Sequence, residues 1–178
     1  MEIEAQQNII DLIETEVVNN QLLIKKENHG IIADWQSVKV YISLPEIQGL
    51  TLAGSGNLTA NTAISSPQLE LKISGSGGLY LPKLETNEVT ATISGSGDLQ
   101  IDEGYADKEI LQITGSGNLH LLNLESRLSE IKITASGNAD VWVTENLSVR
   151  ITGSGNVRYK GNPLVDTDIT GSGSVQPY

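Results

Sequence analysis

The chain has 178 residues, no cysteine and a formal net charge of −11 at pH 7. The negative charge disfavours a nucleic-acid partner, because an acidic surface repels phosphate, and the lack of cysteine excludes a disulfide framework and Cys-ligated zinc. No apolar stretch approaches the roughly 20 residues that a membrane-spanning helix needs, and no signal-peptide pattern is present at Met1-Glu2-Ile3-Glu4.

The first 49 residues differ from the rest of the chain and predict an N-terminal capping segment. Residues 8–13 favour a short helix with Asn8 as its N-cap. Residues 16–24 indicate a hairpin around Asn19-Asn20, and residues 38–44 alternate as a strand that Pro45 closes. We expect residues 1–49 to form first coils and a cap, continuous with a repeat domain at residues 50–178, because open strand edges need covering.

Residues 50–178 contain seven copies of one tetrad, whose starts lie 21, 20, 20, 20, 18 and 18 residues apart. A fixed period near 20 predicts one structural unit stacked on the next. The copies are Gly54-Ser55-Gly56-Asn57, Gly75-Ser76-Gly77-Gly78, Gly95-Ser96-Gly97-Asp98, Gly115-Ser116-Gly117-Asn118, Ala135-Ser136-Gly137-Asn138, Gly153-Ser154-Gly155-Asn156 and Gly171-Ser172-Gly173-Ser174.

Apolar residues alternate with polar ones on both sides of each tetrad, which is the period of a half-buried strand. Each repeat therefore predicts a strand, a Gly-Ser-Gly corner, a second strand and a variable, loop-like return. The predicted fold is all-β, a right-handed β-helix-like solenoid of about seven coils of 18–21 residues. Like residues of successive coils should meet inside it, so that each coil is stable only against its neighbours.

The tetrad residues are predicted to be structural. The second glycine is kept in every copy while the first is once replaced by Ala135, so we expect the stricter backbone demand at the second position. The serines should form a hydroxyl ladder that bonds corner amides and carbonyls. These corner residues are Gly56, Gly77, Gly97, Gly117, Gly137, Gly155 and Gly173, with Ser55, Ser76, Ser96, Ser116, Ser136, Ser154 and Ser172.

Together these features resemble the bacterial putative auto-transporter adhesin, head GIN domain family. The resemblance is carried by residues 7–17, residues 22–24 and residues 38–42, followed by the Gly-Ser-Gly-Asn/Asp repeats. It covers nearly the whole chain. It implies a β-helical, secreted or envelope-associated protein in an extracytoplasmic compartment, and it brings no catalytic residues.

Catalytic, metal and cofactor sites are not expected. The acidic residues fall mostly in the predicted returns, where a solvated face is the simpler interpretation: Glu85, Glu88, Asp102, Glu103, Asp107, Glu125 and Glu130. His29 and His120 are far apart and lack metal-ligand spacing. Calcium-binding repeats carry an aspartate in every coil, phosphate loops carry a lysine after the glycines, and ice-binding faces present two columns free of charge. The sequence has none of these three features.

One predicted outward patch is a candidate binding surface for a glycan or a cell-surface protein. Tyr80, His120, Asp140 and Arg158 occupy the same position in different repeats, and Trp142 follows two residues after Asp140. Aromatic rings with polar neighbours on a rigid sheet suit sugar stacking or protein contact. The alternatives are a structural solenoid that self-assembles through sheet edges or faces, and, third, a polysaccharide-acting enzyme.

Overall fold

The computed structural model describes residues 1–26 and 38–178. The chain divides into two compact units, Met1–Pro45 and Glu46–Tyr178. The capping role predicted for residues 1–49, and the domain boundary after residue 49, stay predictions. Within the described ranges, no helix reaches the length and apolarity that crossing a bilayer would take.

The described residues of the first unit form two small antiparallel sheets and one turn of helix. Its elements are β1 (Glu2–Glu4), α1 (Gln7–Ile10), β2 (Ile13–Val18), β3 (Gln21–Lys26) and β4 (Lys39–Tyr41). Strand β1 pairs with β4, and β2 pairs with β3. The β2–β3 turn is Asn19-Asn20, with φ of 51° and 64°, values that asparagine tolerates.

The helix differs from its sequence prediction. It starts one residue before Asn8, so that Gln6 is the N-cap and makes no side-chain capping bond. Asn8 therefore lies inside the single turn and is not the cap. The turn is closed by backbone bonds, since the amides of Ile9 and Ile10 both donate to the carbonyl of Gln6.

The second unit is a parallel β-solenoid of about six turns, delimited by the seven corners. Its strands are β5 (Gly49–Gly54), β6 (Asn57–Thr59), β7 (Ile64–Gly75), β8 (Gly78–Leu81), β9 (Leu84–Gly95), β10 (Asp98–Ile101), β11 (Gly104–Gly115), β12 (Asn118–Ala135), β13 (Asn138–Gly153), β14 (Asn156–Lys160), β15 (Leu164–Gly171) and β16 (Ser174–Pro177). We call each turn of this solenoid a rung. Every pairing in it is parallel; its predicted right hand stays a prediction.

The corners lie in one column, which confirms the stacking predicted from the repeat period. Gly54 pairs with Gly75, Gly75 with Gly95, and Gly95 with Gly115. The column continues through Ala135 and Gly153 to Gly171. Strand register is thus locked to the repeat, and each side chain lies above its counterpart in the previous rung.

Two aliphatic ladders fill the interior beside the corners. The first ladder lies before the corner and contains Leu52, Ile73, Ile93, Ile113, Ile133, Ile151 and Ile169. The second lies after the corner and contains Leu58, Leu79, Leu99, Leu119, Ala139, Val157 and Val175. The middle members of both are buried. Each buried Leu or Ile stabilises the fold by about 1.5–3 kcal/mol, so a rung depends on the rungs above and below it.

The predicted loop-like returns are largely strand, which corrects the sequence interpretation. In the returns at residues 81–88 and 101–108, only residues 82–83 and 102–103 lie outside strands, and β9 begins already at Leu84. Thr86 and Val89 are both buried although they are three residues apart, so the alternation shifts once within β9. Each full rung therefore has three straight segments. The third was not predicted because its inner positions hold not only Ile64, Leu84 and Leu124 but also Ser66, Thr86, Ala106 and Ser126.

The predicted serine ladder is also wrong. All seven corner serines are exposed, and within residues 1–26 and 38–178 none of their hydroxyls makes a hydrogen bond. The corner amides are satisfied by the backbone: the amide of Ser116 donates to the carbonyl of Gly95 at 2.9 Å, and that of Ser154 to Ala135 at 2.8 Å. Because the previous rung supplies every acceptor, the hydroxyls face solvent.

From the second tetrad onward, a Cβ on either glycine would meet the backbone of the previous rung, and the two positions differ in φ. The first has positive φ, 126° at Gly115, a region that L-residues rarely adopt. The second is needed for space, since a Cβ on Gly137 would lie 2.7 Å from the carbonyl oxygen of Gly117 and against the Ile113 methyl. The prediction that the second glycine carries the stricter backbone demand is therefore wrong; its demand is close packing between rungs.

Candidate binding face

A seven-stranded parallel layer presents one continuous outer surface. It is built from β6, β8, β10, the first residues of β12 and β13, then β14 and β16, in that order. We call this surface the polar face. Its strands are short because each runs only from one corner to the next bend, and its inner side chains belong to the second aliphatic ladder.

Two columns of side chains line the polar face. The first begins each strand and contains Asn57, Gly78, Asp98, Asn118, Asn138, Asn156 and Ser174. The second lies two residues further on and contains Thr59, Tyr80, Gln100, His120, Asp140, Arg158 and Gln176. The register thus brings Tyr80, His120, Asp140 and Arg158 into one column, as the repeat spacing indicated.

The first column forms an asparagine ladder, by which we mean Asp98, Asn118, Asn138, Asn156 and Ser174. The side-chain amide of each asparagine donates to the side-chain oxygen one rung before it, at 2.8 Å, 3.0 Å and 3.1 Å, and the Ser174 hydroxyl donates to Asn156 at 2.8 Å. This ladder was not predicted from the sequence. The missed signal was an amide recurring at one register of a stacked repeat.

Asp140 and Arg158 of the second column form an ion pair with two hydrogen bonds. The guanidinium donates two hydrogen bonds to the carboxylate, at 2.7 Å and 2.6 Å, and the Asp140 side chain is 11% exposed. These hydrogen bonds, and then the charge of Asp140, raise the pKa of Arg158 above its ordinary value. His120 lies next to the pair, with Nδ1 3.9 Å from Asp140 Oδ2.

The aromatic rings of this region are not equally available. Lys160 Nζ lies 3.5 Å from the centre of the Trp142 ring, which is half-buried, and the Arg158 guanidinium lies 5.1 Å from the Tyr178 ring. Among the described residues no cation covers Tyr80, which is 36% exposed. Its ring lies over Gly78, where a Cβ would come within 2.7 Å of it. Tyr80 is thus the open aromatic surface of the polar face, and Trp142 lies at its margin.

A second group of titratable side chains lies on β11, β12 and β13: Arg127 pairs with Glu145 at 2.8 Å and lies 3.6 Å from Asp107, which accepts a hydrogen bond from the Tyr105 hydroxyl at 2.8 Å. Lys83 pairs with Glu85 at 3.3 Å, and Lys108 pairs with Glu130 at 2.7 Å. No group of three or more His, Asp or Glu side chains able to hold a metal ion occurs within residues 1–26 and 38–178. His29 lies outside the described residues.

Surface depressions lie away from the polar face. A groove of about 390 Å³ follows β7 and β9 beside Gln68 and Glu88, and one of about 280 Å³ lies beside Gln112 and Lys132. Neither groove includes Tyr80, His120, Asp140 or Arg158. Both grooves therefore lie outside the candidate site.

Comparison with known proteins gives a family and a fold. Residues 1–163 match the family described as putative auto-transporter adhesin, head GIN domain. The chain is similar to a putative adhesin from Bacteroides fragilis, with a TM-score of 0.91, 23% identity and coverage of 99% of this chain and 81% of that one. No curated protein matches the chain.

Two further solved structures are similar. One is a putative lipid binding protein from Parabacteroides distasonis, with a TM-score of 0.81 and 24% identity. The other is a putative adhesin from Parabacteroides merdae, with a TM-score of 0.78 and 21% identity. Each comparison covers 99% of this chain and 82% of the other. At these identities the likeness establishes the fold.

Proposed function

The chain belongs to the putative auto-transporter adhesin, head GIN domain family, and on that premise we propose that it is a non-enzymatic, extracytoplasmic binding module whose polar face contacts a glycan or protein on a surface. The observation that carries this proposal is the in-register column of Tyr80, Gln100, His120, Asp140 and Arg158. A rigid parallel layer holds these groups at a spacing of about 4.8 Å per rung.

A neutral glycan fits the chemistry of this face best. Sugar rings offer apolar faces for an open aromatic ring such as Tyr80 and hydroxyls for the amide and imidazole groups beside it. The chain carries a net charge of −11, so a polyanionic glycan would be repelled. The asparagine ladder adds to the argument because it holds the strand starts next to His120, Asp140 and Arg158 in register.

Tyr80→Ala and His120→Ala test the proposal on a glycan array and an array of extracellular matrix proteins. Each substitution should weaken binding at least about tenfold, because an exposed anchor is removed from the centre of the contact. Thr114→Ala, on another exposed side of the same solenoid, is the matched control and should bind like the wild type. Circular-dichroism melts should show that all three variants keep the fold.

Identical binding profiles for the wild type, Tyr80→Ala and His120→Ala would contradict the proposal. Trp142→Ala is a weaker probe than the sequence suggested, because the Trp142 ring is half-buried and Lys160 lies over it. A loss of binding in that variant alone would show that the margin of the polar face, and not its centre, makes the contact.

A self-assembling envelope solenoid is the second candidate, favoured by the last rung. In the described parts of the chain β15 pairs only with β13, and β16 only with β14, so the outer edge of each is free. Leu164 is 78% exposed, and Val165 and Ile169 are also exposed. Sedimentation velocity separates the candidates: a sedimentation coefficient that rises with protein concentration supports assembly, and a constant monomer value supports the binding module.

A further inference from the structure

Glu109 lies at the centre of β11 with 0% of its surface exposed. It sits between Val89 and Ser129 in a column of inward side chains that also contains Leu69 and Leu147. Neither carboxyl oxygen has a hydrogen-bond partner among the described residues, and the Ser129 hydroxyl has none either. Such surroundings strongly disfavour a charged carboxylate and favour the protonated, neutral carboxyl.

The rung of Glu109 also lacks a hydroxyl that the neighbouring rungs have. Ser66, Thr86, Ala106 and Ser126 follow each other in register at the inner bend of the third segment. Ser66 donates to the carbonyl of Gln68 at 2.7 Å, and Thr86 donates to the carbonyl of Glu88 at 3.0 Å. Ala106 cannot make the equivalent bond, and the buried carboxyl of the same rung lies three residues further along the chain.

We propose that Glu109 is kept as a neutral carboxylic acid beside the gap that Ala106 leaves in the hydroxyl row, and that the loss of its proton loosens β11 from β12. The hydroxyls of Ser126 and Ser129 are the polar groups that the register brings to this side. Ser126 donates its own proton to the carbonyl of Trp142 at 3.2 Å.

Among the described residues, no opposite charge lies near enough to Glu109 to hold it ionised. The inward side chains of the elements around it are apolar or hydroxyl, including Thr86 and Val89 of β9, Leu99 of β10, and Ser129 of β12. The charged groups at this level point outward. They are Lys108 and Glu130, which pair at 2.7 Å, and Glu88, which adds a weaker charge interaction with Lys108.

Burial raises the pKa of Glu109 from 4.5 to about 8, against the opposing effect of the Ser129 and Ser126 hydroxyls. The folded protein therefore binds one more proton than the unfolded chain between these two pH values. Stability from this group is greatest below the unfolded value, falls as pH rises through the window, and levels off above about 8. Within the window the folding constant should fall about tenfold for each pH unit.

Urea unfolding between pH 5 and pH 9 tests the proposal with the wild type and Glu109→Gln. The folding constant of the wild type should fall about tenfold for each pH unit. The stability of Glu109→Gln, whose side-chain amide has no titrating proton, should not change with pH over this window. Glu130→Gln removes an exposed carboxyl from the next rung and should keep the wild-type slope. Parallel curves for the wild type and Glu109→Gln would overturn the proposal.

A direct titration keeps the proposal falsifiable if Glu109→Gln does not fold. The side-chain carboxyl carbons of ¹³C-labelled glutamate in the wild type should include one signal with a midpoint near 8. A set in which every glutamate titrates near its ordinary value of about 4.5 would overturn the proposal. Glu109→Leu, which copies Leu69 and Leu147 of the same column, then supplies the flat stability profile.

Discussion

Ala135 is the residue at which the repeat departs from its own rule. It occupies the first tetrad position, where the other six copies have glycine, and its φ is 91°. A non-glycine residue in this region costs about 1–3 kcal/mol, which only a well-determined surrounding structure can hold. The neighbouring rungs supply that structure, because the corner amide of Ser154 bonds to the carbonyl of Ala135 at 2.8 Å.

Ala135→Gly should therefore stabilise the protein. Relief of backbone strain exceeds the greater freedom that glycine has in the unfolded chain, about 0.4–1 kcal/mol, so we expect a net gain of about 1 kcal/mol. Thermal or urea unfolding measures it. Gly115→Ala, one rung earlier in the same column, should destabilise the protein, both because of the positive φ and because a Cβ there would meet the carbonyl oxygen of Gly95. An Ala135→Gly variant that is less stable than the wild type would refute the strain at this corner.

Single residues were the scale at which sequence reasoning was least reliable. The tetrad showed that glycine and serine recur, but not which one meets a steric limit. Seven serines suggested a ladder because a hydroxyl can bond in either direction, yet the backbone of the previous rung already satisfies the corner amides. The burial of Glu109 was not predicted, because the equivalent residue is apolar in the rung before it, Val89, and polar in the rung after it, Ser129.

At the scale of the strands, the asparagine ladder predicts which polar column holds the corners together. Asn138 donates to Asn118 at 3.0 Å and accepts from Asn156 at 3.1 Å. Asn138→Ala removes both bonds, each worth about 0.5–1.5 kcal/mol, and exposure puts the expected loss near the lower end, about 1 kcal/mol. Urea unfolding of this variant measures that loss directly.

Ser136→Ala in the same corner is the matched control. Its hydroxyl is exposed and makes no hydrogen bond among the described residues, so the change should alter stability by less than about 0.5 kcal/mol. A loss for Ser136→Ala equal to that of Asn138→Ala would favour the serine ladder that the tetrads suggested and contradict the asparagine ladder.

The strands flanking each corner were predictable because aliphatic residues alternate there without interruption, as in Leu111 and Ile113 before the corner at Gly115. The third segment was not, because its inner positions hold Thr86, Ala106 and Ser126, which resemble loop composition. Strand pairing across rungs decides that these positions are strand, and pairing is a property of the stack that a single repeat does not show.

At the scale of the whole solenoid, register produces every surface on which the two proposals depend. The same parallel alignment that stacks the glycine corners places Tyr80, His120 and Asp140 in one outward column. It also encloses Glu109 between Val89 and Ser129. A slip of one residue between rungs would turn both sets to the opposite side of the sheet. Both the polar face and the burial of the Glu109 carboxyl therefore require this stacking of the rungs.

Distances between corner serines test this stacking most directly. The chain has no cysteine, so spin labels can be attached at chosen corners alone. Ser76→Cys with Ser154→Cys spans four rung spacings, Ser76→Cys with Ser172→Cys spans five, and Ser55→Cys with Ser172→Cys spans six. Pulsed electron paramagnetic resonance should give backbone separations of about 19, 24 and 29 Å, rising by about 4.8 Å per rung. Separations that do not rise in equal steps would contradict the aligned corners and, with them, the polar face.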